Sequence, residues 1–298
     1  FMKYRNIWSK TVAPSVVFLL FFISCGGRSS ADWADLPDRL EGGVVVYGDS
    51  RTGHSAHRRL VEGMASLSPR AVFHTGDLVG NGADPDHWAT FNEIASPLLT
   101  SAPFYPSLGN HEKTSVNYFD NFDLPGNERW YLAGDIPGVT FVVLDTESSL
   151  AAATTFAPAS SQYRWLESTL SSGIPDTHHT IVTFHYPLYS SGQHGGDELG
   201  IRKDLVPLFE QHGVDAVFNG HDHDYERFTV GGIRYIVTGG GGAPLRAQDP
   251  SGADYPPSEK YVQAHHFCVL YFDGNGNLLA EAWDDQARMI DSFVIRNR

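Results

Sequence analysis

The chain has 298 residues, of which 41% are hydrophobic and 19% charged, and its formal net charge is −14. That length can bury a large core, and that composition excludes a disordered chain. The acidic balance argues against a polyanion-binding surface, and so against a nucleic-acid partner, but leaves small phosphorylated substrates open, because a metal site carries its own local positive charge.

In chain order, the first feature is a basic stretch (Lys3, Arg5, Lys10) followed by the apolar run VVFLLFFIS from Val16 to Ser24. The run is short for a membrane span and reads as the apolar region of a secretion signal. It ends at Cys25-Gly26-Gly27, and Phe-Ile-Ser-Cys resembles the lipobox of bacterial lipoproteins, with Phe22 in place of the usual leucine. The expected organisation is a lipoprotein-type signal peptide over 1–24, a polar tether over 25–41 and a single domain over 42–298. Cys25 would carry a lipid anchor that holds the protein to a membrane, in the periplasm or at the outer membrane. The other cysteine, Cys268, lies in the apolar run FCVLYF and reads as a buried structural thiol.

From Val44 onward, apolar β-branched runs alternate with helical stretches. The runs are VVVYGD (44–49), AVFHTGD (71–77), FYPSLGNH (104–111), FVVLDTE (141–147), TIVTFHYP (180–187), AVFNGHDH (216–223) and YIVTGG (235–240). Near-continuous apolar runs mark strands buried on both faces, and the helical stretches (54–67, 161–170 and 200–213) suggest crossover connections. The segment FCVLYFDGNGNLLAEAW reads as a hairpin with a Gly-Asn turn. The predicted class is α/β, with layered mixed sheets.

Five runs end in Asp, Asn or His beside a glycine or proline: Asp49, Asp77, Asn110-His111, His185 and His221-Asp222-His223. Ligand sites in open α/β sheets lie beyond the carboxyl ends of strands, so these five termini are placed to converge on one site. Oxygen and imidazole donors without ligating cysteines suit iron, zinc or manganese rather than a structural zinc finger.

The order Gly48-Asp49, Gly76-Asp77, Gly109-Asn110-His111-Glu112, His185-Tyr186-Pro187 and Gly220-His221-Asp222-His223 resembles the calcineurin-like metallophosphoesterases, and within them the purple acid phosphatase branch. The segments Asp224-Tyr225-Glu226-Arg227 and Glu128 to Glu147 support that branch. The resemblance implies two mixed β-sheets packed as a sandwich and flanked by helices. It implies two metal ions bridged by Asp77, with Asp49 and His223 on the first and Asn110, His185 and His221 on the second. It also implies hydrolysis of a small phosphate monoester by a hydroxide held at that centre. His111 would be the non-ligand active-site histidine and His194 a second histidine on the substrate side. A phosphodiesterase on the same core, and an envelope lipoprotein that binds metal or phosphate without turnover, are the other readings.

Two positions depart from the family pattern. The purple acid phosphatase tyrosine, three residues after the second aspartate, is Gly80, and the histidine of the wider superfamily, two residues after the first aspartate, is Arg51. The first ion thus lacks its usual fourth protein ligand. Water, His54 or His57 could fill the place. Arg51 could instead bind phosphate oxygens through its planar fork, or form an ordinary salt bridge. His74 reads as a core residue, Asp222 and Asp224 as carboxylates that orient imidazoles, GGGGAP (239–244) as a tight loop at the site mouth, and Trp130 and Tyr131 as packing aromatics.

Overall fold

The structure, a computed structural model, describes residues 33–147, 156–251 and 253–296. The expected signal peptide and Cys25 lie outside the described residues. Within the stretch expected as a tether, residues 33–40 pack on the domain instead of running free. Trp33 lies 5.8 Å from Phe267, centroid to centroid, and Leu40 is fully buried. Three large apolar side chains, Trp33, Leu36 and Leu40, pack on the main core and explain that docking.

One sheet grows from β1 (Val44–Tyr47), β2 (Ala71–His74) and β3 (Phe104–Pro106), which are short, wholly buried and mutually parallel. The crossovers are α1 (His54–Ser66) and α2 (Pro85–Leu99). Helix α2 begins where the Asp84 side chain accepts the Asp86 amide and Pro85 occupies the first turn, where a missing N–H costs nothing. Helix α3 (Val116–Asn121) follows β3 and starts at the Ser115 cap.

The second sheet takes β4 (Tyr131–Ile136), β5 (Val139–Val143), β6 (His179–Thr183), β7 (Ala216–Asn219), β8 (Tyr225–Val230), β9 (Ile233–Thr238) and β10 (Lys260–Val262), in the order 10-8-9-7-6-5-4. Strands β5, β6, β7 and β9 are parallel. Helices α4 (Ser161–Ser168) and α5 (Arg202–Gln211) accompany it. Leu205, Leu208 and Phe209 of α5 join Val142, Val182 and Val217 in a core of their own.

The expected C-terminal hairpin forms. β11 (His266–Phe272) pairs with β12 (Leu278–Asp284), β13 (Met289–Arg296) joins it, and β11 runs antiparallel to β1. The two mixed sheets face one another across the main core, where Phe73 of β2 stacks on Phe141 of β5 at 3.8 Å. Cys268 is buried there, and burial pushes its thiol up to about 12. The parallel strands of both sheets deliver their carboxyl ends to one edge of the sandwich, which is where the five polar termini meet.

Candidate metal centre

The ligand candidates sit on the first residues past their strands, in strained backbone. Asp49, Asp77 and His221 have φ of 57°, 58° and 72°, a region that non-glycine residues seldom occupy and that clusters at functional sites. The preceding glycines serve a different purpose. A Cβ on Gly220 would lie 2.3 Å from Asp49 Oδ2, and one on Gly109 would lie 2.3 Å from the Asp77 amide nitrogen. They allow the loops to touch while the ligand residues take the unusual turn.

The residues expected to hold the second ion form the clearest cluster. His185 Nδ1 donates to the Thr75 carbonyl at 2.9 Å, and His221 Nε2 donates to Glu198 at 2.8 Å. Burial lowers the pKa of both imidazoles, which keeps them neutral. Their other nitrogens, His185 Nε2 and His221 Nδ1, therefore present lone pairs. These lie 3.2 Å apart, and each faces Asn110 Oδ1, at 2.9 and 3.1 Å. Asp77 Oδ1 is 3.5 Å from His185 Nε2. Four acceptor atoms thus converge with no proton between them, which is unfavourable unless a cation occupies the centre. Donor bonds of about 2.0–2.2 Å to a metal imply donor–donor edges of about 2.8–3.6 Å between octahedral and tetrahedral geometry, and the four separations here run from 2.9 to 3.5 Å. The residues fit an ion.

The residues expected to hold the first ion, Asp49, Asp77 and His223, are 0, 1 and 2% exposed. Asp49 Oδ2 accepts the His221 amide at 2.9 Å, while Oδ1 is buried with no hydrogen-bond donor among the described residues. His223 Nδ1 donates to the Pro244 carbonyl at 2.7 Å, and its Nε2 lies 3.6 Å from Asp49 Oδ1. Burial lowers the His223 imidazole to about 3. Burial and the neighbouring Asp77 push Asp49 well up. Burial also raises Asp77, but His185, His111 and Arg51 outweigh it and leave that carboxyl below its ordinary value. Two carboxylates in one dry space are what a multivalent cation relieves. Asp49, Asp77 and His185 offer donor atoms within 4.8 Å of one another, so the two halves share one centre.

All six predicted ligands are brought together, with His111 beside them. Its amide donates to Asp77 Oδ1 at 3.0 Å, its Nδ1 donates to the Gly80 carbonyl at 2.7 Å, and its half-buried ring places Nε2 3.8 Å from Asp77 Oδ2. His194 stacks beside His221, with ring centroids 4.2 Å apart, at the open side of the cleft. Arg51 reaches into the centre: Nε donates to Asp77 Oδ2 at 3.0 Å and Nη2 donates to His223 Nε2 at 3.3 Å. His57 turns away into the core, against Tyr47 and Phe91, and burial lowers it to about 3. His74 is a core residue, bonded to Ser50 and to the Gly76 amide.

Three details differ from the sequence expectation. β7 stops at Asn219, and residues 221–224 form a bend rather than extended chain, so it is the turn at His221 that aims both His221 and His223 at the cleft. Asp222 holds the 190–194 loop through Ser190 Oγ and the His194 amide rather than an imidazole. The carboxylate that does orient a ligand histidine is Glu198, and it carried no sequence signal because its loop folds back on His221. Glu112 was legible only as part of the Gly-Asn-His-Glu motif. Its carboxylate accepts the Asp77, Gly109 and Val79 amides and ties two ligand loops together. The glycine loop at 239–244, expected at the site mouth, packs directly on the Asp49 loop, with the Gly241 and Ala243 amides on the Gly48 and Asp49 carbonyls.

The family model for calcineurin-like phosphoesterases matches residues 43–225, which span every one of these ligands. The chain belongs to that family. Among curated relatives of this calcineurin-like phosphoesterase, Purple acid phosphatase 18 of Arabidopsis thaliana is 34% identical over 76% of this chain and 54% of its own length. Purple acid phosphatase 1 of Ipomoea batatas is 28% identical over 61% and 42%. The chain spans about half the length of the curated relatives it matches. Among solved structures, the yellow lupin purple acid phosphatase PPD1 superposes with a TM-score of 0.72 at 22% identity, covering 85% of this chain and 53% of that one. GAP50, an anchor in the inner membrane complex of Plasmodium, superposes with a TM-score of 0.70 at 19% identity, covering 86% and 89%. These two likenesses show the shared sandwich fold.

Proposed function

We propose that this calcineurin-like phosphoesterase hydrolyses small phosphate monoesters at a centre for two metal ions. The observation that carries the reading is the convergence of Asn110 Oδ1, His185 Nε2, His221 Nδ1 and Asp77 on one point, with His111 Nε2 at its margin. Asp49, Asp77 and His223 would hold one ion, and Asp77, Asn110, His185 and His221 the other. When bound, such ions supply Lewis acidity, which activates water and neutralises charge on phosphoryl oxygens. The neutral Asn110 donor adds no negative charge to repel a phosphate.

The chain's own residues do the rest. Thr75, Glu198 and Pro244 fix the ligand imidazoles by their outward N–H groups, so each lone pair points inward. The Gly80 carbonyl holds His111 Nδ1–H, leaving Nε2 to carry a proton towards a departing alkoxide. His111→Ala is therefore expected to retain the metal content of the wild type and lower kcat by about 10²–10⁴-fold with an alkyl ester. An aryl ester with a good leaving group should suffer much less. Equal losses on both esters would remove the proton-donor role.

The decisive comparison is turnover of an aryl phosphate monoester against its bis-aryl diester. Clear preference for the diester would replace the monoesterase reading with a phosphodiesterase. Two bound ions with no turnover on either ester would favour a binding protein. We further read the N-terminus as a lipoprotein signal with the anchor at Cys25, which gives an envelope location. Incorporation of labelled palmitate that Cys25→Ser leaves intact would refute it.

A further inference from the structure

The two halves of the centre are not equivalent, because the first already contains a cation. The Arg51 guanidinium donates to Asp77 Oδ2 at 3.0 Å and to His223 Nε2 at 3.3 Å, so it occupies two of the three donor atoms available to the first ion. It is held there from both ends. The Arg51 amide donates to the Asp77 carbonyl at 3.3 Å, and the side chain is only 13% exposed. Among the described residues, no corresponding cation intrudes on the second half, where His185, His221 and Asn110 face one another directly.

We propose that Arg51 is a tethered competitor for the first metal position. The Asp77–Asn110–His185–His221 position then keeps its ion, while the Asp49–Asp77–His223 position fills weakly and reversibly. A divalent ion entering the first position must displace two charge-assisted hydrogen bonds and lie beside a fixed positive charge in a dry pocket. The neighbouring backbone offers somewhere for the side chain to go. Residue 80 is glycine, and a cavity of about 50 Å³ opens beside Arg51, lined also by Thr52, His54, Gly80 and His87. Arg51 thereby couples the charge of the first position to its occupancy. With the ion absent, the guanidinium partly neutralises Asp49 and Asp77. With the ion present, the guanidinium is displaced towards that cavity. This rests on the six donors being metal ligands, and not on the hydrolytic reading.

The test is titration of the chelator-stripped full protein with Zn²⁺ or Mn²⁺, followed by calorimetry and by elemental analysis after equilibrium dialysis. Wild type is expected to bind one equivalent tightly and a second about 100-fold or more weakly, a gap that one adjacent unit charge at low effective dielectric can produce. Arg51→Ala should narrow that gap by about tenfold or more, whereas Arg51→Lys, which keeps the charge, should preserve most of it. Asn110→Ala should abolish the tight equivalent and thereby assign it. Two equivalents of equal affinity in wild type would overturn the proposal without any variant. So would an unchanged gap in an Arg51→Ala protein whose circular dichroism shows it folded. Absence of any bound metal would overturn the ligand reading as well.

Discussion

Asp77→Asn is expected to lose both metal ions and to lower turnover at least about a thousandfold, because the transition-state stabilisation two ions provide is worth several kcal/mol. Each Asp77 oxygen faces a different half of the centre. Oδ1 lies 3.5 Å from His185 Nε2, and Oδ2 takes the Arg51 ion pair at 3.0 Å. An asparagine has one acceptor oxygen. If it keeps the His111 amide, its NH₂ points at Arg51 Nε and cannot bind an ion. The fold itself should tolerate the change, because removing the Asp77 charge relieves Asp49, whose carboxyl burial and that charge push up, and so offsets the lost Arg51 ion pair. The informative readout is thermal. Metal at about 100 times its Kd adds about 2.7 kcal/mol to wild type, or roughly 5–10 °C in Tm for a domain of this size. That metal-dependent rise should vanish in Asp77→Asn. A variant that still holds two ions by elemental analysis would contradict the bridging role.

The sequence makes the centre legible through its ligands and obscures it through their supports. Asp49, Asp77, Asn110, His185, His221 and His223 all follow apolar runs, and a parallel strand delivers whatever follows it to a known edge. Their partners lack that regularity. Glu198 reaches His221 from a loop before α5, and Arg51 reaches His223 across 172 residues, so neither contact has a local signature. The strain is hidden for a similar reason. Among the motif positions, positive φ falls on Gly76 but also on the non-glycine residues Asp49, Asp77 and His221, where tertiary contacts impose it. Helices α2 and α3 lie outside the predicted elements, as do strands β4, β8, β10 and β13. Pro97 inside α2 disguises its period, and α3 is only six residues long.

Glu112→Ala is expected to be the most destabilising single change near the centre, at about 2–4 kcal/mol, and to weaken metal binding by about 10–100-fold. Glu112 is 1% exposed, and its two oxygens accept three amides: Asp77 at 2.8 Å, Gly109 at 2.9 Å and Val79 at 3.1 Å. Removing the side chain strands three buried N–H groups, each worth about 1–3 kcal/mol when left unpaired. An opposing effect trims the total, since burial and the adjacent Asp77 push the Glu112 carboxyl up to about 8, so its charge is itself disfavoured. The amides outweigh it in number. Oε2 alone joins the amide of Asp77 to that of Gly109, and Gly109 carries Asn110. The loop holding the bridging ligand and the loop holding the neutral ligand are thus registered by one oxygen atom. Glu112→Gln keeps one acceptor oxygen but turns an NH₂ towards the remaining donors, so it should recover only part of the loss. Urea unfolding with and without metal separates the two effects: the lost amide contacts lower the midpoint of the metal-free protein, and the lost registration shrinks the metal-induced increment. A Glu112→Ala protein that unfolds within about 0.5 kcal/mol of wild type would show that the amides find other partners, since substitutions without such a buried role usually stay inside that margin.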